Sequence, residues 1–236
     1  MPFKNTDFCF PVKELSSDSL KLVEFDPSKH ATPYFEGTQS HPEVYRFMST
    51  GPYSNPEEFT QQFYSQKVGK SMFCFAIIDK KKPPSAIDPE GEFAGMVSYQ
   101  SASFENQSLE LGYIIVLPPF QRTHVTTHTI GLMLRYALDS PEQGGLGLRR
   151  VIWKADTVNP ASVRAASRMG FRQEGVLRWE RVAPDAEARG KAGNKQGAPP
   201  YGNQKDLGRD VVLLSMCWDD WLLEGKREFV RDMMER

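Results

Sequence analysis

The 236-residue sequence predicts one α+β domain, and three observations predict it. Three strand-like runs, at 71–79, 93–100 and 109–117, follow one another through polar connections, as hairpin-paired strands do. From about residue 126 onward, helical and strand-like patterns alternate. No internal repeat and no second apolar core breaks that order.

Each element has its own justification. SLKLVEF (19–25) is a short β-compatible run and gives the first strand. Two helical stretches follow between about 28 and 68; the better marked starts at Asn55 as cap, with Pro56 at its first position and Glu58 placed for a capping box. Phe59, Phe63 and Tyr64 share one of its faces, which predicts packing on a sheet. SMFCFAIID (71–79) is almost wholly apolar, as a strand buried on both faces requires. KKKPPSAIDPEGE is an exposed connection to FAGMVSYQ (93–100), and LELGYIIVL (109–117) follows a polar tip around Glu105 and Asn106. Pro118 and Pro119 end that strand, because proline cannot donate to a ladder.

Thr126 or Thr127 then caps a helix in which Ile130, Met133, Leu134, Ala137 and Leu138 recur at helical spacing. LRRVIWKA (148–155) is a strand, DTVNPASVRAASRMGFRQEG (156–175) contains a capped helix with a glycine stop, and FRQEGVLRWERV (171–182) is a strand. Residues 183–209, rich in Gly, Ala, Lys and Pro, predict a mobile loop. DVVLLSMCW (210–218) is the seventh strand, and one closing helix carries Trp218, Trp221, Leu222, Phe229 and Met233 in a stripe.

Composition excludes several function classes. A net charge of −1 offers no electrostatic footprint for nucleic acid or an anionic membrane. No run of 18 apolar residues occurs, and MPFKNTDFCF lacks the apolar centre of a signal peptide. Three widely spaced cysteines, Cys9, Cys74 and Cys217, predict reduced thiols and a cytoplasmic protein. The four histidines lack metal-ligand spacing, so no metal is expected. No G-x-S-x-G or Walker-type run points to a hydrolase or NTPase. Cys217 reads as an inert strand residue and His128 as a surface position.

Chemistry is best sought where the turn PPFQRTHVT feeds a helix. Such a mouth leaves about four backbone N–H groups unpaired and carries a partial positive charge, a ready phosphate receptor. Arg122 and His124 add charge beside it, although a plain connector with a threonine cap accounts for the same residues. Two segments carry a resemblance: LELGYIIVLPPFQRTHVTTHTIGLMLRYAL and RRVIWKADTVNPASVRAASRMGFRQEGVLR. Together they resemble the GNAT superfamily of acyl-CoA-dependent N-acetyltransferases. The E-L-G-Y strand, N-x-x-S helix start and G-F-x-x-E-G strand resemble its RimJ/RimL-type branch.

That resemblance implies the GNAT (acyl-CoA N-acyltransferase) fold over residues 1–236: a mixed, mostly antiparallel seven-stranded sheet flanked by helices. The sheet would be splayed between its fourth and fifth strands, with acetyl-CoA in the gap and no metal. The pantetheine arm would meet main-chain groups of Ile114, Ile115 and Val116, and the side chain of Asn159. Gln121, Arg122, Thr123, His124, Val125, Thr126 and Thr127 would form the pyrophosphate turn. His124 and Thr126 stand where the family usually has small residues, and Arg122 where the branch often has glycine; backbone amides serve regardless of side chain.

The family's usual tyrosine acid falls on Ala166, and the resemblance assigns its role to Ser162, facing the thioester sulfur. Satisfying the helix start is the plainer role for that hydroxyl. Glu110 would take the amine's proton; by pattern alone it is equally a solvated strand glutamate. Tyr113 would line the acceptor pocket, and Met169 and Phe171 the core. Lys154 and Asp156 form an ion pair or shape the cleft. The expected reaction is direct acetyl transfer in a ternary complex to a small-molecule amine. A peptide N-terminus is the alternative acceptor, and a non-catalytic acyl-CoA-binding protein the alternative class. The protein would be a monomer or a homodimer.

Overall fold

The structure is a computed structural model that describes residues 7–69, 72–194 and 196–236. Its strands are β1 (Leu15–Ser16), β2 (Leu20–Glu24), β3 (Met72–Asp79), β4 (Glu92–Ser103), β5 (Ser108–Val116), β6 (Arg150–Asp156), β7 (Arg172–Ala183) and β8 (Leu207–Cys217). They form one sheet in the order β1-β2-β3-β4-β5-β6-β8-β7. Every neighbouring pair is antiparallel except β5 and β6, which run parallel.

The helices are α1 (Pro27–Gln39), α2 (Pro56–Phe59), a π-helical turn (Thr60–Tyr64), α3 (Ser65–Lys67), α4 (His124–Leu138), α5 (Pro160–Arg168), α6 (Trp218–Leu222) and α7 (Lys226–Met234). None of them is long and apolar enough to cross a membrane.

The mostly antiparallel mixed sheet flanked by helices appears as expected, with eight strands rather than seven. The extra one, β1, is a two-residue edge strand pairing Leu15 with Leu22 and Ser16 with Lys21. Two residues carry no readable period, which is why the pattern misses it. The predicted strand 71–79 begins at Met72, since Ser71 lies outside the described residues. All eight residues of β3 are buried, so both its faces are covered. Phe75 packs on Tyr99, whose hydroxyl donates to Met133 O in α4 at 2.7 Å. Phe25, just past the end of β2, forms an aromatic cluster with Tyr34 of α1, Phe59 of α2 and Phe93 of β4.

Local chemistry explains the helix starts. Asn55 Oδ1 accepts from Glu58 N at 2.8 Å, and Glu58 reaches back one residue beyond the cap, to Ser54 N. Phe59 and Phe63 are buried on one face, and Tyr64 donates its hydroxyl to Phe25 O at 2.7 Å. α4 begins at His124 with Thr123 as cap, not Thr126 or Thr127: Thr123 Oγ1 accepts from Val125 N at 3.3 Å. The earlier cap follows from Arg122, whose φ of 61° turns the chain sharply one residue before.

His128 is buried, not at the surface; its Nδ1 lies 3.2 Å from Ser17 Oγ beside the small β1. The single closing helix is two, because Gly225 at φ 74° breaks it between α6 and α7.

The segment expected as a loop over 183–209 spans 184–206, since β7 ends at Ala183 and β8 begins at Leu207. It is anchored to the body. Lys191 is buried and donates to Tyr45 O at 2.9 Å and Thr50 O at 2.6 Å. Burial, with Arg189 and Arg209 nearby, pulls the Lys191 ammonium down to about 7. Ala192 N adds a bond to Arg46 O at 3.0 Å.

Candidate active site

The site is made by a strand that stops pairing. β5 pairs with β6 only from Ser108↔Arg150 to Leu111↔Trp153. Beyond that point β6 continues along β8 to Asp156↔Val211, while β5 stays with β4 to Gly95↔Val116. The two parallel strands therefore part after Leu111, at the position expected for the splay.

The cause is local to β5. Its register against β4 jumps between Ser98↔Gly112 and Met96↔Ile115, so β5 carries one surplus residue there. Tyr113 takes up the surplus in a left-handed conformation, φ 47°, which costs a non-glycine residue about 1 kcal/mol or more. Phe63 packs edge-on to its ring at 4.7 Å between centroids, and its hydroxyl lies 3.3 Å from Ser49 Oγ. These contacts hold the bulge in place and set Tyr113 at the wall of the opening.

The opening is a cavity of about 490 Å³ between β5, β6 and α5. Leu117 N bonds to Ala94 O, so by antiparallel alternation Ile115 turns its main chain to β4. Ile114 and Val116 turn theirs to the gap, where Gln121 Nε2 already donates to the Val116 carbonyl at 2.9 Å. Of the three residues expected to offer main-chain groups, Ile115 is thus committed to β4, a consequence of alternation that no side-chain pattern reveals.

At the mouth, Gln121 and, in the first turn of α4, Thr126 line the same cavity; Arg122 to Val125 and Thr127 are not in its lining. Val125 N is held by its own cap, and Thr127 Oγ1 accepts from Arg168 at 3.4 Å. His124 is turned away into an ion-pair geometry with buried Asp79, Nε2 to Oδ1 3.0 Å. Arg122 adopts the left-handed conformation that glycine takes without cost.

On the opposite wall, Asn159 caps α5 by accepting from Ser162 N at 3.2 Å through Oδ1. Gly170, at φ 92°, stops the helix, and Met169 and Phe171 are buried beyond it. Ser162 lines the cavity, and its Oγ accepts from Trp153 Nε1 at 2.9 Å. With that lone pair used by the indole, the hydroxyl proton is left for an acceptor in the cavity.

Glu110 lies on the last paired stretch of β5, just short of the larger cavity's lining, and is buried rather than solvated. Its Oε1 accepts from Gln100 Nε2 at 2.6 Å. Its Oε2 is buried without a hydrogen bond, 3.8 Å from Lys154 Nζ. Burial pushes this carboxyl above its ordinary range, against the opposing pull of Lys154 and Gln100.

Lys154 and Asp156 do not pair with each other: Lys154 donates to Glu180 at 2.7 Å, and Asp156 to Arg209 Nε spans 2.7 Å. Glu110 faces a smaller cavity of about 110 Å³ that shares Phe47, Gly112, Tyr113 and Lys154 with the larger one. Three residues here escape the sequence pattern: Gln100, Arg181 and Arg209. Only strand register brings them to Glu110.

The sequence and the fold were compared with known proteins. The family model of the Acetyltransferase (GNAT) domain matches residues 19–172. No curated protein matches the sequence. Among solved structures, a GCN5-related N-acetyltransferase from Brucella melitensis is similar at 22% identity and TM-score 0.73, over 94% of this chain and 85% of that one. A probable GNAT-family acetyltransferase from Chromobacterium violaceum is 21% identical with TM-score 0.69, over 88% of this chain and 87% of its own. A spermidine N-acetyltransferase from Vibrio cholerae, in complex with CoA and spermine, is 16% identical with TM-score 0.59, over 87% and 99%. These likenesses are likenesses of fold; the domain match, over well more than half of the residues, is what assigns the family. The chain belongs to the GNAT family of acetyltransferases.

Proposed function

We propose that the protein transfers an acetyl group from acetyl-CoA to the primary amine of a small molecule, directly within a ternary complex. One observation carries this reading: a buried carboxylate oxygen without a hydrogen bond, Glu110 Oε2, faces a small cavity that shares its walls with the strand fork, and the fork's own wall holds a hydroxyl with a free proton, Ser162. The chain fits acetyl-CoA. The fork leaves main-chain groups of Ile114 and the Val116 N–H facing the gap, and the amides of Arg122 to Thr127, apart from Val125 N–H, which its cap holds, lie at a helix mouth suited to phosphate. Asn159 would stand beside the pantetheine arm. Bound there, acetyl-CoA supplies the acetyl group and departs as a thiolate.

The protein's own residues handle protons and position. Glu110 takes the proton of the incoming ammonium at Oε2, and its raised pKa brings it closer to neutral, where a base is most effective. Ser162 donates its proton toward the leaving sulfur, held in orientation by the Trp153 indole. Tyr113 lines the acceptor side. Among the described residues lining either cavity there is no cysteine and no histidine, and Ser162 has no base beside it. That favours direct attack by the amine over an acyl-enzyme.

The three unpaired cysteines favour a cytoplasmic setting. The E-L-G-Y, N-x-x-S and G-F-x-x-E-G segments favour the RimJ/RimL-type branch, which makes a peptide N-terminus the second acceptor to test. The test is release of free thiol from acetyl-CoA in the presence of pooled amines, amino acids and peptides with free or blocked N-termini. Thiol release with a small amine supports the reading. Release with free-N-terminus peptides alone replaces it with protein acetylation. Cofactor binding without release from any acceptor makes the protein a binder, not an enzyme.

A further inference from the structure

The smaller cavity has Glu110 in its wall, and one cation beside it is held by no other group among the described residues. Three cations line it: Lys154, Arg209 and Arg181. Lys154 is neutralised by Glu180 at 2.7 Å. Arg209 is buried, paired with Asp156 at 2.7 Å and donating to Phe47 O at 2.6 Å. Arg181 is exposed and has no ion pair and no hydrogen bond among the described residues, and it stands directly opposite Arg209 across β7 and β8. Asp156 already offsets Arg209, so the Arg181 guanidinium, across the cavity from Glu110, is the one whose donors are all uncommitted.

The backbone is shaped to put Arg181 there. β7 runs from Leu177↔Val211 to Arg181↔Arg209, so β7 carries surplus residues in that stretch. Trp179 takes the left-handed conformation, φ 56°, and its N–H is pinned by Asp210 Oδ1 at 2.8 Å. A bulge of this kind re-aims the side chains that follow it. Its effect is to carry the Arg181 guanidinium to the wall of the cavity that Glu110 floors.

Resting on the proposed acetyl transfer at Glu110, we infer that Arg181 is a specificity-determining residue and that the acceptor is an amine bearing a carboxylate, of the amino-acid type. The planar guanidinium fork matches a carboxylate, and Glu110 receives the amine from the other side of the same small space. A polycationic amine would meet Arg181 with like charge and be disfavoured.

The experiment compares amino acids with their carboxamide counterparts, and with spermidine, in thiol release by wild type and by Arg181→Gln. The expected result is a preference of wild type for the free acids. In Arg181→Gln, KM for the acids rises roughly 10- to 100-fold with kcat little changed, while the carboxamides are unaffected. Arg181→Glu should move the preference toward spermidine. Equal use of acids and carboxamides by wild type, or an equal loss for both in Arg181→Gln, overturns the inference. If no amine releases thiol, the transfer reading fails separately. Calorimetric titration of the same acids and carboxamides into CoA-loaded wild type and Arg181→Gln then decides the Arg181 assignment without turnover: acid-selective binding lost in the variant upholds it, and unselective binding overturns it.

Discussion

Two glutamates stand at the two flanks of β6 and behave in opposite ways. Glu174, on the β7–β8 side, has both oxygens committed: Arg150 takes one at 2.7 Å and the other at 2.5 Å, and Ser215 Oγ adds a bond at 2.6 Å. The Arg150 guanidinium holds this carboxyl down to about 2. Glu110, on the side where β5 leaves β6, has one oxygen hydrogen-bonded and one not, and burial pushes it up. The closed flank commits its carboxylate to structure; the open flank leaves one oxygen without a hydrogen bond, and the proposed reading gives that oxygen the role of base.

Three variants test that contrast. The largest effect is expected from Glu110→Gln, which should lower kcat about 10²- to 10⁴-fold while leaving acetyl-CoA affinity near wild type. Wild-type kcat should rise with pH as Glu110 loses its proton at its elevated pKa, and the variant should lack that limb. A wild-type profile in Glu110→Gln would remove the base assignment.

Ser162→Ala should lower kcat about tenfold with little change in acetyl-CoA binding, the scale of one hydrogen bond to a developing charge. Steady-state kinetics beside equilibrium binding separate the two; a loss of affinity at constant kcat would make Ser162 a binding residue only.

Glu174→Gln should leave kcat alone and cost at most about 1 kcal/mol of stability, because the side chain is 35% exposed and solvent screens its ion pair. Its folded value lies below the ordinary 4.5, so its contribution is present above that pH and is lost as pH falls toward 2. Thermal unfolding across that window should therefore fall more steeply for wild type than for the variant. An activity loss at pH 7 in Glu174→Gln would erase the contrast between the flanks.

Much of this arrangement is legible in the sequence where the chemistry is local. Asn55 and Asn159 announce their helices because an Asn-Pro pair is a cap followed by a preset first turn, and both accept the bonds expected of caps. β3 is legible because eight buried residues in a row leave no alternative. Glu110 and Ser162 stand out only through the family resemblance, and the structure adds what pattern cannot: which Glu110 oxygen is free, and that an indole holds Ser162. The cap at Thr123 was hidden because it depends on the left-handed Arg122, a conformation with no signature in a non-glycine residue. Lys191 and Tyr45 are 146 positions apart, and Arg209 and Phe47 are 162 apart. Contacts of that span are set by register and topology, which no local window contains.

The surplus residue at Tyr113 has a consequence for ancestry. A crevice cut by the main chain does not depend on which side chains upholster it, so the lining can drift while the crevice persists. Chains only 21% and 22% identical to this one accordingly keep the same architecture, because what they share is the path of the main chain rather than the side chains hung on it.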